Sequence, residues 1–132
     1  MFIKLFFTAL FVFLVIDIIW LGVIAKGIYA KEIGSLMKES VNWTAAFIFY
    51  AIFIAGLVFF VISPAVAGAS LVNAFIMGAI FGFVTYSTYD LTNLAVLKDW
   101  PLKITIIDII WGTVLASSVS GITYIIATKF LL

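Results

Sequence analysis

Four long apolar segments, separated by short connections, dominate the pattern of hydrophobic and polar positions along the chain. A helix needs about 20 apolar residues to cross a bilayer core, so each segment is long enough to span a membrane. The second segment is expected to end at Ile62, because Ser63-Pro64 follows and proline disfavours helix in the residue before it. The pattern therefore predicts an all-α, polytopic four-helix transmembrane bundle that forms a single domain over residues 1–132. The predicted helices cover residues 2–25, 43–62, 71–97 and 102–128.

The connection between the first two predicted helices differs from the others because it is charged. Residues 26–42 contain three lysines and two glutamates, and between them Tyr29, Ile33, Leu36 and Met37 recur at near-helical spacing. This pattern predicts a short amphipathic helix that lies in the headgroup region of the membrane.

The composition agrees with a membrane protein and excludes several kinds of chemistry. The chain is 67% hydrophobic and 10% charged, with a mean hydropathy of +1.38. It contains no cysteine and no histidine, which disfavours haem, Fe–S clusters and the usual zinc sites. The net charge is +1 and there is no arginine, so nucleic acid is not an expected partner. We predict no cofactor and no metal ligand, and Mg²⁺ bound through oxygen atoms has only weak support.

The lysines indicate an orientation. Four spans bring both termini to one face of the membrane and two of the three connections to the other. Five of the seven lysines lie on the face with two connections, and the positive-inside rule makes that face cytoplasmic. The termini are then external. The five are Lys26, Lys31, Lys38, Lys98 and Lys103.

Three carboxylates, Asp17, Asp90 and Asp108, lie inside apolar segments. A charge at the bilayer centre costs about 2.5 to 3.5 kcal/mol or more, so such residues usually face the bundle interior. None of the three has a lysine in the interior of its own segment, because Lys4 and Lys103 lie at segment ends. Each therefore needs a neutral donor, water, a cation or its own proton.

The sequence Ile-Asp-Ile-Ile-Trp occurs in both the first and the last apolar segment, at residues 16–20 and 107–111. At 1.5 Å rise per residue, Asp17 and Trp111 lie roughly 12 to 13 Å below the cytoplasmic lysines, and Asp108 and Trp20 roughly 7 to 9 Å. If the two antiparallel helices are neighbours, each indole N–H can donate to the carboxylate of the other helix. We predict this reciprocal pairing.

The third helix combines a stripe of small residues with a polar end. Ala74, Gly78, Gly82, Tyr86 and Asp90 recur every four residues, and the small members are expected to pack against another helix. The polar residues at the end of this helix are expected to lie on the cytoplasmic side, at the level of the two Asp–Trp pairs. No member is assigned a catalytic role, and Trp43 and Trp100 are predicted to be interfacial anchors. The candidate ligand-binding cluster consists of Asp17, Trp20, Tyr86, Tyr89, Asp90, Thr92, Asn93, Asp108 and Trp111.

These motifs resemble a bacterial integral-membrane family, domain of unknown function 2177. The matching stretches are "DIIWLG" in the first helix, "DLTNLAVLKDWP" after the third and "DIIWG" in the fourth. The resemblance implies a four-helix protein of the bacterial cytoplasmic membrane without an established activity. Family members tend to be encoded near genes for acyl-chain modification, which implies a lipid-related role. The motif positions are Asp17, Trp20, Asp90, Leu91, Thr92, Asn93, Trp100, Pro101, Asp108, Trp111 and Gly112.

Three functions remain open from the sequence. The first is a lipid- or isoprenoid-associated protein that binds, modifies or assists, with membrane lipid as its partner; whether it is an enzyme is not decided. The second is a small proton-coupled transporter, which would need a homodimer to form a pathway. The third is an assembly protein, alone or with another membrane protein, whose polar cluster only specifies helix packing.

Overall fold

The computed structural model describes residues 1–38 and 40–132, and they form five helices. Four are long and apolar enough to cross a membrane, and the described residues contain no β-strand. The prediction of an all-α four-helix membrane bundle is confirmed. The helices are α1 (Phe2–Ile24), α2 (Lys26–Ile33), α3 (Trp43–Ala67), α4 (Leu71–Val96) and α5 (Leu102–Leu131).

Local capping fixes where two of the spans begin. The side chain of Asn42 accepts a hydrogen bond from the backbone N–H of Ala45 at the start of α3. Ser70 does the same for Asn73 at the start of α4. These side chains replace the partners that the first turn of a helix lacks.

Helix α3 continues past the predicted end at Ile62. Residues Val58–Ile62 form a π-helical turn, and Ser63–Ala67 continue as α-helix with Pro64 in the first turn. Proline has no N–H for the intrahelical hydrogen bond, and the π-helical turn directly before it is where the backbone departs from regular α-helix. The helix therefore passes through the proline and ends at Ala67.

The most extensive helix contact joins α4 and α5. A Cβ at Gly82 would collide with the carbonyl oxygen of Gly112, and a Cβ at Gly112 would collide with the ring of Tyr86. The hydroxyl of Ser117 on α5 also donates to the carbonyl oxygen of Phe75 on α4, at 2.8 Å. The predicted small-residue stripe is therefore a packing surface, as is common between membrane helices.

Helix α1 packs against both α3 and α5 and closes the bundle. The ring of Phe13 is buried and lies 5.5 Å from the ring of Tyr50 and 5.7 Å from that of Phe53, centroid to centroid. The Nζ atom of Lys4 is 3.4 Å from the carbonyl oxygen of Leu131, so the two termini lie at the same end of the bundle.

Helix α2 lies at the other end and is shorter than the predicted amphipathic segment. It covers Lys26–Ile33, and a single 3₁₀ turn follows at Gly34–Leu36. Glu39, which belongs to the predicted segment 26–42, is outside the described residues. Glu32 forms a 3.6 Å ion pair with Lys103, which ties α2 to the start of α5. A pair that is partly exposed, as this one is, contributes little energy.

Candidate functional site

The predicted contact between Trp111 and Asp17 is present. The indole Nε1 of Trp111 on α5 donates to Oδ1 of Asp17 on α1, with 3.4 Å between the two atoms. This is a long hydrogen bond. It joins the two residues that the depth count puts at one level, and it supplies Asp17 with a neutral donor inside an apolar span.

The second predicted pair is different. Trp20 does not donate to Asp108 directly: its Nε1 donates to the hydroxyl oxygen of Tyr29 at 3.3 Å, and that hydroxyl donates to Oδ1 of Asp108 at 2.8 Å. The direct pairing of Trp20 with Asp108 is therefore wrong. Helix α2 folds back against α5 and inserts the Tyr29 hydroxyl between the two groups. The result is a relay that joins α1, α2 and α5.

Tyr29 is a polar member of the site that the sequence pattern did not predict. Its spacing with Ile33, Leu36 and Met37 suggested only an apolar face in contact with lipid. A signal was available, because a carboxylate within a span needs a donor and a tyrosine combines an apolar ring with a hydroxyl. Burial and the neighbouring Asp108 carboxylate raise the pKa of the Tyr29 hydroxyl above its ordinary value. The hydroxyl therefore stays protonated at neutral pH and can donate.

The two indoles of the repeat also touch. The rings of Trp20 and Trp111 are stacked, with centroids 4.3 Å apart and planes at 9°. The ring of Tyr29 meets that of Trp20 edge to face at 6.5 Å. Aromatic pairs in such geometry contribute about 0.5 to 1.5 kcal/mol beyond the area that they bury. The stack orients both indole N–H groups toward their acceptors.

These groups line a cavity of about 510 Å³ between the four spans. This size is in the range of sites for small molecules. Carboxylates, indoles and phenols share the cavity with apolar side chains. The lining residues are Asp17, Trp20, Leu21, Tyr29, Phe49, Phe53, Thr85, Tyr86, Tyr89, Asp108 and Trp111.

The cavity borders the lipid-facing surface of the bundle. Three of its lining residues are about half exposed: Leu21 at 49%, Phe49 at 48% and Tyr89 at 57%. None of residues 43–52 is buried, whereas Phe53 and Ile54 are. Contacts between α3 and α4 involve Phe53 and the part of α3 that follows it. The first part of α3 thus leaves a lateral opening beside α4.

A second, smaller cavity of about 150 Å³ is lined by Asp90. Asp90 has 0% exposure, and neither of its carboxyl oxygens has a hydrogen-bond partner among the described residues. Tyr29, Tyr89 and Asp108 line both cavities, so the two spaces adjoin. The remaining lining residues of the smaller cavity are Ile33, Trp100 and Ile104.

The family model described as "Predicted membrane protein (DUF2177)" matches residues 2–125. The chain belongs to this family. No curated protein matches the chain, and no solved structure does. The DUF2177 resemblance stated from the sequence motifs is confirmed.

Only part of the D-L-T-N motif of this DUF2177 protein lines the cavities. Asp90 lines the smaller cavity, but Thr92 and Asn93 line neither cavity. Thr92 is exposed, because two residues along a helix turn it to the opposite face from Asp90. Asn93 lies about one turn beyond Asp90 and is half-buried. Both were candidate site residues, and the geometry gives neither a place in the cavities.

Trp43 and Trp100, the two predicted interfacial anchors, lie in different surroundings. Trp43 is 59% exposed at the start of α3, as an interfacial anchor would be. Trp100 instead lines the smaller cavity, and its Nε1 donates to the hydroxyl oxygen of buried Thr105 at 3.1 Å. Trp100 therefore has a structural role in the wall of the site that its position in the sequence did not indicate.

Chemically, the larger cavity offers acceptors rather than cations. No lysine lines it, and the described residues contain no group of three side chains of the usual metal-binding types. One carboxyl oxygen of Asp17 and one of Asp108 accepts a hydrogen bond, and each carboxyl group has acceptor capacity beyond the one donor that it receives. The cavity thus suits a molecule that donates.

Proposed function

We propose that this membrane protein binds an amphipathic molecule that enters from the bilayer and carries hydroxyl or amine groups. Its apolar chain would lie against Leu21, Phe49 and Phe53, and its polar head would reach Asp17 and Asp108. The observation that carries the proposal is the coexistence of these two carboxylates with an aromatic, lipid-bordering wall in one cavity. The lipid-related role implied by the family resemblance agrees with it.

The charge of the cavity restricts the headgroup. Carboxylates repel phosphate and carboxylate heads, and no lysine lines the cavity to offset them. A hydroxyl or an amine can donate to Asp17 and Asp108, and a protonated amine also gains from their charge. We therefore propose a neutral or cationic lipid-like ligand rather than a free fatty acid or a phosphatidic acid.

Native mass spectrometry of the detergent-solubilised protein tests this proposal. Three probes of one chain length are compared in the presence of a chelator: a monoacylglycerol, a primary alkyl amine and the corresponding fatty acid. We expect the first two to bind and the fatty acid to bind much more weakly. The variants Asp17→Asn and Asp108→Asn should weaken amine binding most.

The matched control for this experiment is Asp99→Asn. Asp99 is exposed in the turn before α5 and lines neither cavity. It has a positive φ of 61°, a conformation that asparagine also tolerates, so the change removes one charge without strain. Equal binding of the fatty acid and the amine, or loss of binding in Asp99→Asn, would contradict the proposal.

A second candidate function is favoured by the relay itself. The hydrogen bonds of Asp17 and Asp108 join α1, α2 and α5, which is what a purely structural cluster would do. Under this alternative, Asp17→Asn and Asp108→Asn keep the phenotype of the gene, since asparagine still accepts a hydrogen bond. Loss of function in a variant that remains folded excludes it.

We also propose that the end of the bundle with α2 faces the cytoplasm of a bacterium and that the termini are external. The support is the lysine distribution. The chain has no cysteine, so the single-cysteine variants Ile3→Cys, Lys38→Cys and Phe130→Cys are clean reporters. A membrane-impermeant thiol reagent added outside intact cells should label positions 3 and 130 and spare position 38. Labelling of position 38 alone would reverse the orientation.

A further inference from the structure

The smaller cavity contains the least satisfied polar group of the site. Asp90 is fully buried within a membrane span, and both of its oxygens lack partners among the described residues. Two nearby donors are already used: the Tyr29 hydroxyl donates to Asp108, and the Trp100 indole donates to Thr105. The Tyr89 hydroxyl also lines this cavity but does not form a hydrogen bond with Asp90. A buried carboxylate without donors is costly unless something neutralises it.

A second carboxylate shares this space. Asp108 lines the same cavity, and among the described lining residues there is no lysine. Lys103, at the start of α5, is paired with Glu32 and is 62% exposed. Two carboxylates therefore face one small cavity without a cationic side chain, which favours the uptake of positive charge, either as a proton on one carboxyl group or as a cation shared by both.

The size and the ligand types indicate which cation. Water occupies about 30 Å³ per molecule in the liquid, so a cavity of about 150 Å³ is large enough for an ion with part of its water shell. Carboxylate and phenol oxygens are hard ligands, which excludes a preference for soft metals. Mg²⁺ typically uses only one or two carboxylates and keeps several waters, whereas Ca²⁺ takes more protein oxygens.

We propose that Asp90 and Asp108 bind a divalent cation of the Mg²⁺ type, with water completing its coordination. Asp90 is the dedicated ligand, because neither of its oxygens accepts a hydrogen bond from a donor of the described residues. Asp108 supplies the second carboxylate while one of its oxygens remains hydrogen-bonded to Tyr29. The proposal does not depend on the lipid-like ligand of the larger cavity.

Mn²⁺ is the probe, because its electron paramagnetic resonance signal in solution decreases when it binds. The full-length protein is placed in nanodiscs of zwitterionic phosphatidylcholine, and empty nanodiscs give the background. We expect saturable binding that Mg²⁺ displaces. Asp90→Asn should weaken Mn²⁺ binding by about tenfold or more, since even outer groups of metal sites change affinity by 10- to 100-fold.

Asp99→Asn is again the matched control and should bind Mn²⁺ as the parent protein does. If Asp90→Asn does not fold, Asp108→Asn replaces it and should also lose affinity. Three results would overturn the proposal: no binding above that of empty nanodiscs, equal affinity in folded Asp90→Asn or Asp108→Asn, or an equal loss in Asp99→Asn.

Discussion

The indoles of Trp20 and Trp111, which are 91 positions apart in the chain, stack face to face with their centroids 4.3 Å apart. Each also donates a hydrogen bond within the polar cluster, Trp111 to Asp17 and Trp20 to Tyr29. The stack therefore joins two antiparallel spans at the level of the carboxylates. The repeated Ile-Asp-Ile-Ile-Trp sequence thus gives each of the two spans one indole and one carboxyl group in the polar cluster.

The stack should produce an exciton couplet in the circular dichroism spectrum, because the two rings are close and rigidly oriented. We expect the couplet to disappear in Trp20→Phe and in Trp111→Phe. Trp43→Phe removes an exposed indole outside the stack and should leave it intact. Persistence of the couplet in both site variants would show that the stack is absent in solution.

Part of this arrangement follows from the sequence alone. Hydropathy and length predict the four spans, and residue counting predicts that Asp17 and Trp111 meet. The position of Tyr29 could not be derived in this way. It depends on how α2 folds back on α5, which is a tertiary contact between segments far apart in the chain. The same holds for the lateral opening beside the first part of α3.

Thr92 and Trp100 show why spacing along the sequence did not predict which side chains line the cavities. Thr92 belongs to the most specific motif of the chain, yet the helical period turns it away from Asp90. Trp100 follows the pattern of an interfacial anchor, but the turn before α5 directs its indole to Thr105. Motif membership identified the region of the site and not the contact that each side chain makes.

Tyr29→Phe tests the relay. The change removes one hydroxyl, which leaves Asp108 without its donor and Trp20 without its acceptor. We expect the free energy of unfolding to fall by about 1 kcal/mol, between the average interhelical hydrogen bond in a membrane and the cost of an unsatisfied buried group. Titration with dodecyl sulfate in mixed micelles, followed by circular dichroism, measures it. Tyr124→Phe, near the opposite end of the bundle, should change stability little.

The free energy of unfolding should also depend on pH through the ionisation of the Tyr29 hydroxyl. Its raised pKa means that the folded state keeps the hydroxyl proton at pH values where the unfolded chain, with a pKa of 10.0, loses it. The contribution of Tyr29 to stability is therefore complete below pH 10 and falls as the pH rises above it. The difference in unfolding free energy between the parent and Tyr29→Phe should shrink in that range. A difference independent of pH would contradict the buried, donating hydroxyl.

The close contact of α4 and α5 predicts a strong contrast between glycines. Gly82→Ala and Gly112→Ala force a methyl group against Gly112 and Tyr86 and should cost about 1 to 3 kcal/mol or more in mixed-micelle unfolding. Gly22→Ala in α1 meets no atom within 4 Å and is the matched control. We expect the control to be neutral or slightly stabilising. Equal stability of all three variants would mean that the helices are farther apart.

We propose above that the larger cavity receives an amphipathic donor from the bilayer, and the indoles of the site can report its entry. Trp20 and Trp111 line this cavity, whereas Trp43 and Trp100 do not, so a Trp43→Phe/Trp100→Phe variant leaves only the two indoles of the site. The fluorescence of this variant in nanodiscs is titrated with a monoacylglycerol brominated on its chain. We predict saturable quenching at low mole fraction, reversed by the unbrominated compound and weakened by Asp17→Asn. Quenching that rises in proportion to the bulk lipid fraction and is not reversed would show that the cavity does not bind the probe.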